Sequence, residues 1–420
     1  MLVKEHVQQA KVTAAGPAIP VDVASSFAAT QAAWRFWGNE AVTPTALVEP
    51  LRQLARQQIA PGTKYVLSVI DWSKIDYKKH TAKTDVVQLT HQHDIGYELT
   101  TQLLVDAGTG RPIAPIQSHL KTRNGYLTTA ETPVPEEHRL EQITPLMDEA
   151  DGMNFGAELV YVIDREADSV WHFRQWNAAG RLFVVRGDDR RVNWRGQSRM
   201  YREIAARIDA DGAFVKTGDV TIQGRQGVQY VAETTIVLNR SAKRKSDGKS
   251  ISVKGEPLTL RLVIAKVFDA KTQKLLSVWY LLSNVPPEIS AAQIALWYYW
   301  RWSIESYFKL MKSGGQELEH WQQESGPAIL KRLLVASMAS STVWQLQGLG
   351  SEEAREFKQV LVRLSGKSMK RGRSPTSGSL LSGLFVLLRM FDFLCHIDFD
   401  LSKLAQLKSL LKKFAPHLVE

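Results

Sequence analysis

Residues 159–169 of the chain read LVYVIDREADS, an apolar run that ends abruptly in a cluster of charged side chains. A short apolar run between polar segments is typical of a strand that is buried on both faces. A helix is predicted after it, and the next apolar run is LFVV at residues 182–185. This alternation of strand and helix predicts a mixed α/β architecture, in which helices cover a sheet.

Toward the N-terminus, the same reasoning predicts another buried strand and a hairpin. Residues 65–70 read YVLSVI and precede a charged turn, as a buried strand does. Residues 97–105 and 113–120 flank the segment AGTGRP, whose glycines and proline supply turn chemistry, so this pair is predicted to form a hairpin. A helix is predicted to begin with Thr43 as its N-cap, because a proline follows at the first helical position.

Toward the C-terminus, the pattern changes at about residue 188. Short β-like runs separated by glycine turns continue to residue 284, which predicts an inserted antiparallel β unit. Residues 290–313 then have the composition and periodicity of one strong helix, and apolar repeats predict helices in most of the remaining sequence.

Composition and cysteine usage exclude several classes of protein. The chain has 420 residues, 44% of them hydrophobic, which allows a large core in roughly two or three domains. Its single cysteine, Cys395, excludes a disulfide framework and a cysteine-rich zinc site, and it fits a reducing cytoplasm. The N-terminus lacks the apolar stretch of a signal peptide, and the apolar segment 380–394 is interrupted by Arg389 and Asp392. No membrane span is therefore expected.

The formal net charge is +10 and the isoelectric point is about 9.5, and part of the excess positive charge lies in two clusters. The clusters comprise Arg240, Lys243, Arg244, Lys245 and Lys249, and Lys367, Lys370, Arg371 and Arg373. Runs of charge usually mark solvated loops, and the alternative is contact with the phosphates of a nucleic acid. Composition alone leaves both interpretations open.

Four polar side chains share one face of the helix predicted at residues 290–313. Tyr298, Arg301, Glu305 and Lys312 stand at relative positions 0, 3, 7 and 14, which span about 60° of arc at 3.6 residues per turn. Arg301 and Glu305 could form an ordinary surface pair, which contributes only a few tenths of a kcal/mol. Tryptophans and tyrosines crowd the same segment, however, and a carboxylate that is partly buried among them needs a cationic partner or a metal.

Two further carboxylates stand where buried strands end. Asp71 follows YVLSVI, and Asp164 follows LVYVI. Side chains at the ends of neighbouring strands can converge at one edge of a sheet, so three carboxylates including Glu305 could meet. Their oxygens are hard ligands of the kind that Mg²⁺ prefers, and such a cluster suits two-metal phosphoryl transfer. For either aspartate alone, the alternative is a cap or turn residue.

The spacing Y-x2-R-x3-E-x6-K in YYWRWSIESYFKLMK, at residues 298–312, resembles the signature of a group of bacterial insertion-sequence DDE transposases of the cut-and-paste type. The segment IDREADS, at residues 163–169, resembles the stretch that carries the second aspartate of that group. The likeness in the order and type of the predicted segments extends from about residue 34 to residue 347.

This resemblance implies roles for eight residues. Asp71, Asp164 and Glu305 are implied to be the catalytic triad and to hold two Mg²⁺ ions, with Mn²⁺ as the implied substitute. The residues implied to contact DNA are Tyr298, Arg301, Lys312, Arg186 and Trp279. For two of these residues, the sequence also allows a purely structural role. Arg186 could be an ordinary surface arginine, and Trp279 could be a tryptophan of the β core.

The fold implied by the resemblance is α/β, with an RNase H-like core of a mixed sheet flanked by helices. The predicted regions are a helical arm with a DNA-binding remnant (1–60), the first part of the core (61–187), the β-rich insertion (188–289), the last part of the core with the Glu305 helix (290–347) and a helical C-terminal region (348–420). An apolar stripe at residues 401–411 in the last region fits either a dimer contact or a core.

The function implied is DNA transposition by Mg²⁺-dependent cleavage and strand transfer at transposon ends. The implied partners are double-stranded DNA, as terminal inverted repeats and as target, and a second copy of the chain on DNA, with no membrane. The implied location is the bacterial cytoplasm, at the nucleoid.

Three alternatives remain. Members of this group usually carry a DNA-end-recognising stretch before the part matched here, so N-terminal truncation is expected, and the chain could be an inactive DNA-binding or oligomerising regulator of transposition. It could also be a nuclease of the RNase H fold. A glycosidase would leave Arg301 and Lys312 without a role.

Overall fold

The structure is a computed structural model that describes residues 23–131, 134, 139–222, 224–246, 249–367 and 374–396. Side chains are described from residue 31 onward, apart from residues 243–250, 392, 393, 395 and 396. The side chains of most residues in the two basic clusters lie outside this description, and so does the whole apolar stripe at residues 401–411.

The described residues form ten α-helices and fifteen β-strands. The helices are α1 (Val23–Gly38), α2 (Pro44–Gln58), α3 (Arg139–Gly152), α4 (Val170–Ala178), α5 (Tyr201–Ala210), α6 (Ala291–Trp300), α7 (Trp302–Lys312), α8 (Gly326–Gly348), α9 (Glu352–Leu364) and α10 (Ser377–His396). The strands are β1 (Tyr65–Asp76), β2 (Val87–Gln88), β3 (Ile95–Asp106), β4 (Pro112–Thr122), β5 (Gly125–Thr128), β6 (Glu158–Ile163), β7 (Leu182–Gly187), β8 (Arg191–Trp194), β9 (Gln197–Met200), β10 (Val215–Ile222), β11 (Arg225–Leu238), β12 (Ala242–Ser246), β13 (Lys249–Val253), β14 (Leu258–Asp269) and β15 (Leu275–Ser283).

One mixed sheet of 13 strands dominates the described chain, with the order β5-β4-β3-β1-β6-β7-β15-β14-β11-β8-β9. Strand β2 pairs with β3, strand β10 pairs with β11, and β12 and β13 form a separate two-stranded sheet. Strands β1, β6 and β7 are parallel to one another, whereas β3, β4 and β15 join them in antiparallel fashion. The α/β class predicted from the sequence is therefore confirmed.

The apolar runs owe their composition to this arrangement. Residues 66–70 of β1 and 160–163 of β6 are fully buried, because both strands lie inside the sheet. A strand covered on both faces loses the polar alternation of a half-exposed strand. The hairpin predicted around AGTGRP is confirmed as β3 and β4, and Thr43 caps α2 by accepting a hydrogen bond from the Ala46 amide at 3.1 Å.

Apart from β12 and β13, the strands of the β-rich segment continue the main sheet. Its strands pair antiparallel, as predicted, and β15 adds directly to β7 through pairs that include Leu282 and Val185. Hydrogen bonding to the edge of β7 extends the buried sheet and removes an unpaired edge.

The chain divides into two compact units. The sheet unit comprises Thr43–Lys78 and Asp85–Phe308, and the helical unit comprises Met1–Val42, Lys79–Thr84 and Lys309–Glu420, in each case as far as the residues are described. This division is coarser than the five regions predicted from the sequence. None of the described helices combines the length and the apolar character needed to cross a membrane.

The sequence predicts a single helix over residues 290–313, and the structure has two. Helix α6 ends at Trp300, Arg301 is its C-cap, and α7 begins at Trp302. The amide of Arg301 bonds to the Tyr298 carbonyl and the amide of Ile304 bonds to the Arg301 carbonyl, both at 3.1 Å. These bonds span three residues and tighten the backbone locally, which interrupts the regular α-helical pattern.

A histidine is buried in the sheet unit without a hydrogen-bond partner. His119 of β4 is paired with Thr100 and Thr128 of the neighbouring strands, and it is 2% exposed. Neither of its ring nitrogens has a hydrogen-bond partner among the described residues. Burial lowers the pKa of His119 from 6.5 to about 4, so the ring is neutral in the folded protein at neutral pH.

We expect His119 to make the fold less stable in mild acid. Its pKa is lower in the folded than in the unfolded chain, so its contribution is fully present above pH 6.5 and is lost as the pH falls toward 4. The loss between pH 7.5 and pH 5 amounts to about 2 kcal/mol. In His119→Phe, the difference in unfolding free energy between these two pH values should shrink by that amount, as measured by chemical denaturation.

Exposed His93 provides the control, and His93→Gln should leave this difference unchanged. An undiminished acid loss in His119→Phe would contradict the assignment to this imidazole.

Candidate functional site

Three carboxylates from separate elements of the sheet unit meet around the guanidinium group of Arg301. Arg301 Nη1 lies 2.7 Å from Asp71 Oδ2. Arg301 Nη2 lies 2.8 Å from Glu305 Oε1 and 3.8 Å from Asp164 Oδ2. Arg301 is 4% exposed, and a buried guanidinium without compensating charge is costly by several kcal/mol. The three carboxylates that the sequence predicts to converge thus lie together, and Arg301 compensates their charge.

Parallel strands set the positions of the two aspartates. Ile70 of β1 pairs with Ile163 of β6, and Asp71 and Asp164 follow side by side where this parallel pairing ends. Asp164 directly follows β6, as predicted, but Asp71 does not stand at a strand end, because β1 continues to Asp76 through its antiparallel pairing with β3. Asp71 Oδ1 accepts a hydrogen bond from the backbone amide of Trp72 at 2.8 Å. Asp164 is the N-cap of a short 3-10 helix, Arg165–Ala167, and its Oδ1 accepts the Arg165 amide at 2.7 Å. The cap role that the sequence left open for Asp164 is therefore real, and it coexists with the contact to Arg301.

The tyrosine of the spacing motif holds Asp164 from the other side. The hydroxyl of Tyr298 donates a hydrogen bond to Asp164 Oδ1 at 3.1 Å. Tyr298 is 1% exposed, and burial raises the pKa of its hydroxyl to about 12, so it remains a donor at neutral pH. Tyr298 and Arg301, which the resemblance implies to contact DNA, are thus hydrogen-bonded to the carboxylates.

Burial and charge act in opposite directions on the two aspartates. Burial raises the pKa of Asp71 to about 6, although the Arg301 charge and the Trp72 amide lower it. Burial also raises the pKa of Asp164, but Arg301, the Arg165 amide and the Tyr298 hydroxyl together outweigh it, so the net pKa lies below its usual value. Asp164 is therefore ionised at neutral pH, and ionised Asp71 remains in an environment that disfavours its negative charge.

Two ion pairs fix the turn that follows Asp164. Glu166 Oε2 lies 2.7 Å from Nη1 of Arg139 on α3, and the same arginine pairs with Glu98 on β3. Asp168 pairs with Arg190 in the segment between β7 and β8, and the Asp168 carboxylate also accepts the amide of Asp188 at 2.8 Å. The carboxylates of Glu166 and Asp168 therefore act as structural anchors of this turn.

The turn between β3 and β4 anchors the two helices on either side of Arg301. The indole of Trp297 donates to the carbonyl of Ala107 at 2.9 Å, and the hydroxyl of Ser303 donates to the carbonyl of Gly110 at 3.3 Å. Gly110 has a φ of +72°, and a Cβ there would lie 2.5 Å from the ring of Trp300. This contact was not predictable from the sequence, because nothing in AGTGRP indicates which helix the turn meets.

The remaining predicted DNA contacts differ in their surroundings. Arg186 on β7 is half-buried, and its charge helps to lower the pKa of Asp164. Within the described residues its guanidinium forms no hydrogen bond or ion pair. Lys312 belongs to the helical unit, where its Nζ lies 3.0 Å from Glu319 Oε1.

Trp279 lies inside the sheet unit. It is 3% exposed and packs edge-on against Tyr298 and Trp302, with ring centroids 5.4 Å and 6.2 Å apart. Both neighbours flank Arg301 in the sequence. This burial agrees with the alternative of a core tryptophan, since the indole supports the helix that carries the motif.

The described residues contain no group of three or more histidine, cysteine, aspartate or glutamate side chains arranged to hold a metal ion. The carboxylates of Asp71, Asp164 and Glu305 surround the Arg301 guanidinium instead. In donor type they match a hard divalent cation, which prefers carboxylate oxygens.

No protein-family model matches the chain, and no curated protein matches it.

We expect Gly110→Ala to disturb the helices around Arg301. The new Cβ would clash with Trp300 and would occupy left-handed backbone, and each effect is unfavourable by roughly 1 kcal/mol or more. The variant should lose about 2 kcal/mol or more of unfolding free energy, and the tryptophan fluorescence of the folded state should shift.

Gly108→Ala in the same turn is the matched control, because its Cβ would approach only the Asp106 carboxylate, at 3.4 Å. Equal stability of the two alanine variants would contradict the close packing of this turn against Trp300.

Proposed function

We propose that the chain is a DDE-type transposase. It would hydrolyse one strand at a transposon end and use the freed 3′-hydroxyl to attack a second phosphodiester. The observation that carries the proposal is the meeting of Asp71, Asp164 and Glu305 around Arg301, with Tyr298 bonded to Asp164. Three carboxylates gathered at one sheet edge with a buried arginine and tyrosine suit a site that manages concentrated negative charge.

The strand order supports an RNase H-like core. Strand β3 pairs antiparallel with both β4 and β1, and β1, β6 and β7 then pair in parallel. Asp71 lies in the central strand of this group and Asp164 directly follows the next one. Ligand sites in α/β sheets are typically found at the carboxyl ends of parallel strands. Asp164 lies at such an end, and Asp71 lies beside it, one residue beyond the last parallel pair of β1 with β6.

The donor set fits divalent metal ions, with Asp71, Asp164 and Glu305 as the residues that would hold them. A bound Mg²⁺ pair supplies activation of the attacking oxygen and stabilisation of the leaving oxygen. The raised pKa of Asp71, caused mainly by burial, supports this assignment, because a position that disfavours an isolated negative charge gains from a nearby cation.

The other charged groups have separate tasks in this proposal. Tyr298 keeps Asp164 oriented, and Arg301 aligns Asp71 with Glu305. Arg186 stands near Asp164 with a guanidinium that is available for a bidentate contact with a DNA phosphate. The net charge of +10 favours binding to double-stranded DNA, as transposon ends and as target. A second copy of the chain would supply the site for the other transposon end.

The test is Mg²⁺-dependent nicking of DNA that carries the ends of the element. Asp71→Asn, Asp164→Asn and Glu305→Gln should each abolish nicking and leave DNA affinity within a few-fold, because each change affects a metal ligand and not a phosphate contact.

Arg186→Ala should weaken DNA binding and lower the log–log salt slope by about one, relative to exposed Arg199→Ala.

For the three carboxylates, Asp219→Asn is the control, because Asp219 is an exposed carboxylate on β10. Nicking that persists in any variant of the three carboxylates would remove that residue from the site. Cleavage without joining of the 3′ end to a second DNA would favour a nuclease of the same fold.

A further inference from the structure

A cavity lies in the sheet unit, on the β-rich segment. It has a volume of about 380 Å³, within the range of roughly 300–1,000 Å³ that is usual for small-ligand sites. Its walls come from the end of α5, the segment between α5 and β10, the facing strands β11 and β14, and the turn after β14. The lining residues are Asp209, Gly212, Phe214, Tyr230, Lys266, Phe268 and Gln273. None of them belongs to the carboxylate site.

Three aromatic rings form the apolar part of this cavity. Tyr230 and Phe268 meet edge to face, with centroids 5.7 Å apart and an interplanar angle of 85°. Phe214 stands at the entry to β10. All three are only partly buried, so each ring keeps accessible surface. Aromatic rings that a fold could bury completely, but leaves open at a cavity, provide surfaces for stacking a planar ligand.

Lysines flank the aromatic rings. Tyr230 of β11 pairs with Lys216 of β10 on one side and with Lys266 of β14 on the other. Directly paired residues of antiparallel strands project from the same face, so the three side chains form one row. The Lys266 ammonium lies 4.3 Å from the centroid of Phe214. This interleaving of aromatic and basic side chains suits a ligand that has both an aromatic face and a negative charge.

The counter-ion of Lys266 is readily exchanged. Lys266 Nζ lies 3.1 Å from Asp209 Oδ2, but the Asp209 side chain is 59% exposed whereas that of Lys266 is 14% exposed. An ion pair with such an exposed partner contributes little, so a phosphate oxygen can replace the carboxylate at small cost. The half-buried ammonium is therefore a fixed cation at the wall of the cavity.

The turn after β14 completes the site. Gln273, in left-handed backbone with a φ of 54°, brings an amide group that can both donate and accept hydrogen bonds. Lys271 and Lys274 stand on either side of it and are exposed. The turn is held to the neighbouring strand by a hydrogen bond from the Ala270 amide to the Gln226 carbonyl at 3.0 Å. Positive charge thus continues from the cavity along its rim.

We propose that this cavity binds one unstacked nucleobase of DNA together with its phosphate. The base stacks on Tyr230 and Phe268, Lys266 pairs with the phosphate, and Gln273 contacts the polar edge of the base. A purely apolar ligand would leave two lysines and a glutamine unused, and a simple anion would leave the rings unused. The proposal rests on the proposed function only in that DNA is the ligand.

The experiment uses the full chain and two duplexes that differ only in whether a single 2-aminopurine is unpaired or paired. Wild-type protein should bind the duplex with the unpaired base more tightly and lower its 2-aminopurine fluorescence through stacking. Tyr230→Leu and Phe268→Leu should each weaken that binding about tenfold, with the paired duplex unaffected. Lys266→Met should lower the log–log salt slope by about one for the duplex with the unpaired base.

Phe357→Leu is the matched control, because Phe357 is a 39% exposed phenylalanine on α9 of the helical unit, and its affinity for both duplexes should equal that of the parent. A competition assay on the wild-type protein gives a second readout that depends on no variant. Added deoxyadenosine monophosphate should displace the unpaired base and restore the 2-aminopurine fluorescence.

Displacement by N-acetyltryptophanamide and not by the nucleotide would assign the cavity to a peptide and overturn the proposal. The proposal would also be overturned if all variants bound the duplex with the unpaired base as tightly as the parent. If the paired duplex were still bound and nicked in that case, the proposed function would stand. If neither duplex binds, both proposals fail.

Discussion

The site depends on one buried positive charge. Arg301 is almost fully enclosed, and an uncompensated guanidinium in such a place would destabilise the fold by several kcal/mol. Asp71, Asp164 and Glu305 provide the compensation, and each comes from a different element of the sheet unit. The same contacts therefore neutralise Arg301 and hold three mutually repelling carboxylates within reach of one another. Burial lowers the pKa of Arg301, but Tyr298 and the surrounding carboxylates raise it by more, so the guanidinium remains charged.

The surrounding structure restrains this centre from two directions. The hairpin turn at residues 107–110 bonds to Trp297 and Ser303, on either side of the backbone irregularity at Arg301. The turn after Asp164 is tied down by ion pairs through Glu166 and Asp168. Side chains at a site of concentrated charge tend to move apart, and restraints of this kind hold them in position before any ligand binds.

The sequence predicts the strands well because burial on both faces leaves an unmistakable apolar run. It also predicts that Asp71 and Asp164 share an edge, because each directly follows such a run. It does not predict the break at Arg301, since residues 290–313 contain neither glycine nor proline to mark an interruption. The burial of Trp279 against Tyr298 and Trp302 likewise depends on which strand lies under the helix.

Other features lie beyond any local pattern. The cavity of the β-rich segment joins residues from α5, from the segment before β10, and from β11 and β14, which are separated by up to about 60 positions, and no motif marks them together. For Lys312, in contrast, a local pattern is present but does not predict the contact that forms. It fits the helical spacing of the motif, yet the structure pairs it with Glu319 in the helical unit, because spacing along a helix does not determine the partner of a long side chain.

The central claim is that Asp71, Asp164 and Glu305 form one centre for a divalent cation. Cleavage of the polypeptide by hydroxyl radicals from bound Fe²⁺, in the presence of ascorbate and peroxide, tests it most directly, because the radicals cut the backbone close to the metal. The account predicts cuts near residues 71, 164 and 305, which excess Mg²⁺ suppresses and Asp164→Asn removes. Cuts confined to other segments, or cuts at these three places that persist in Asp164→Asn, would contradict it.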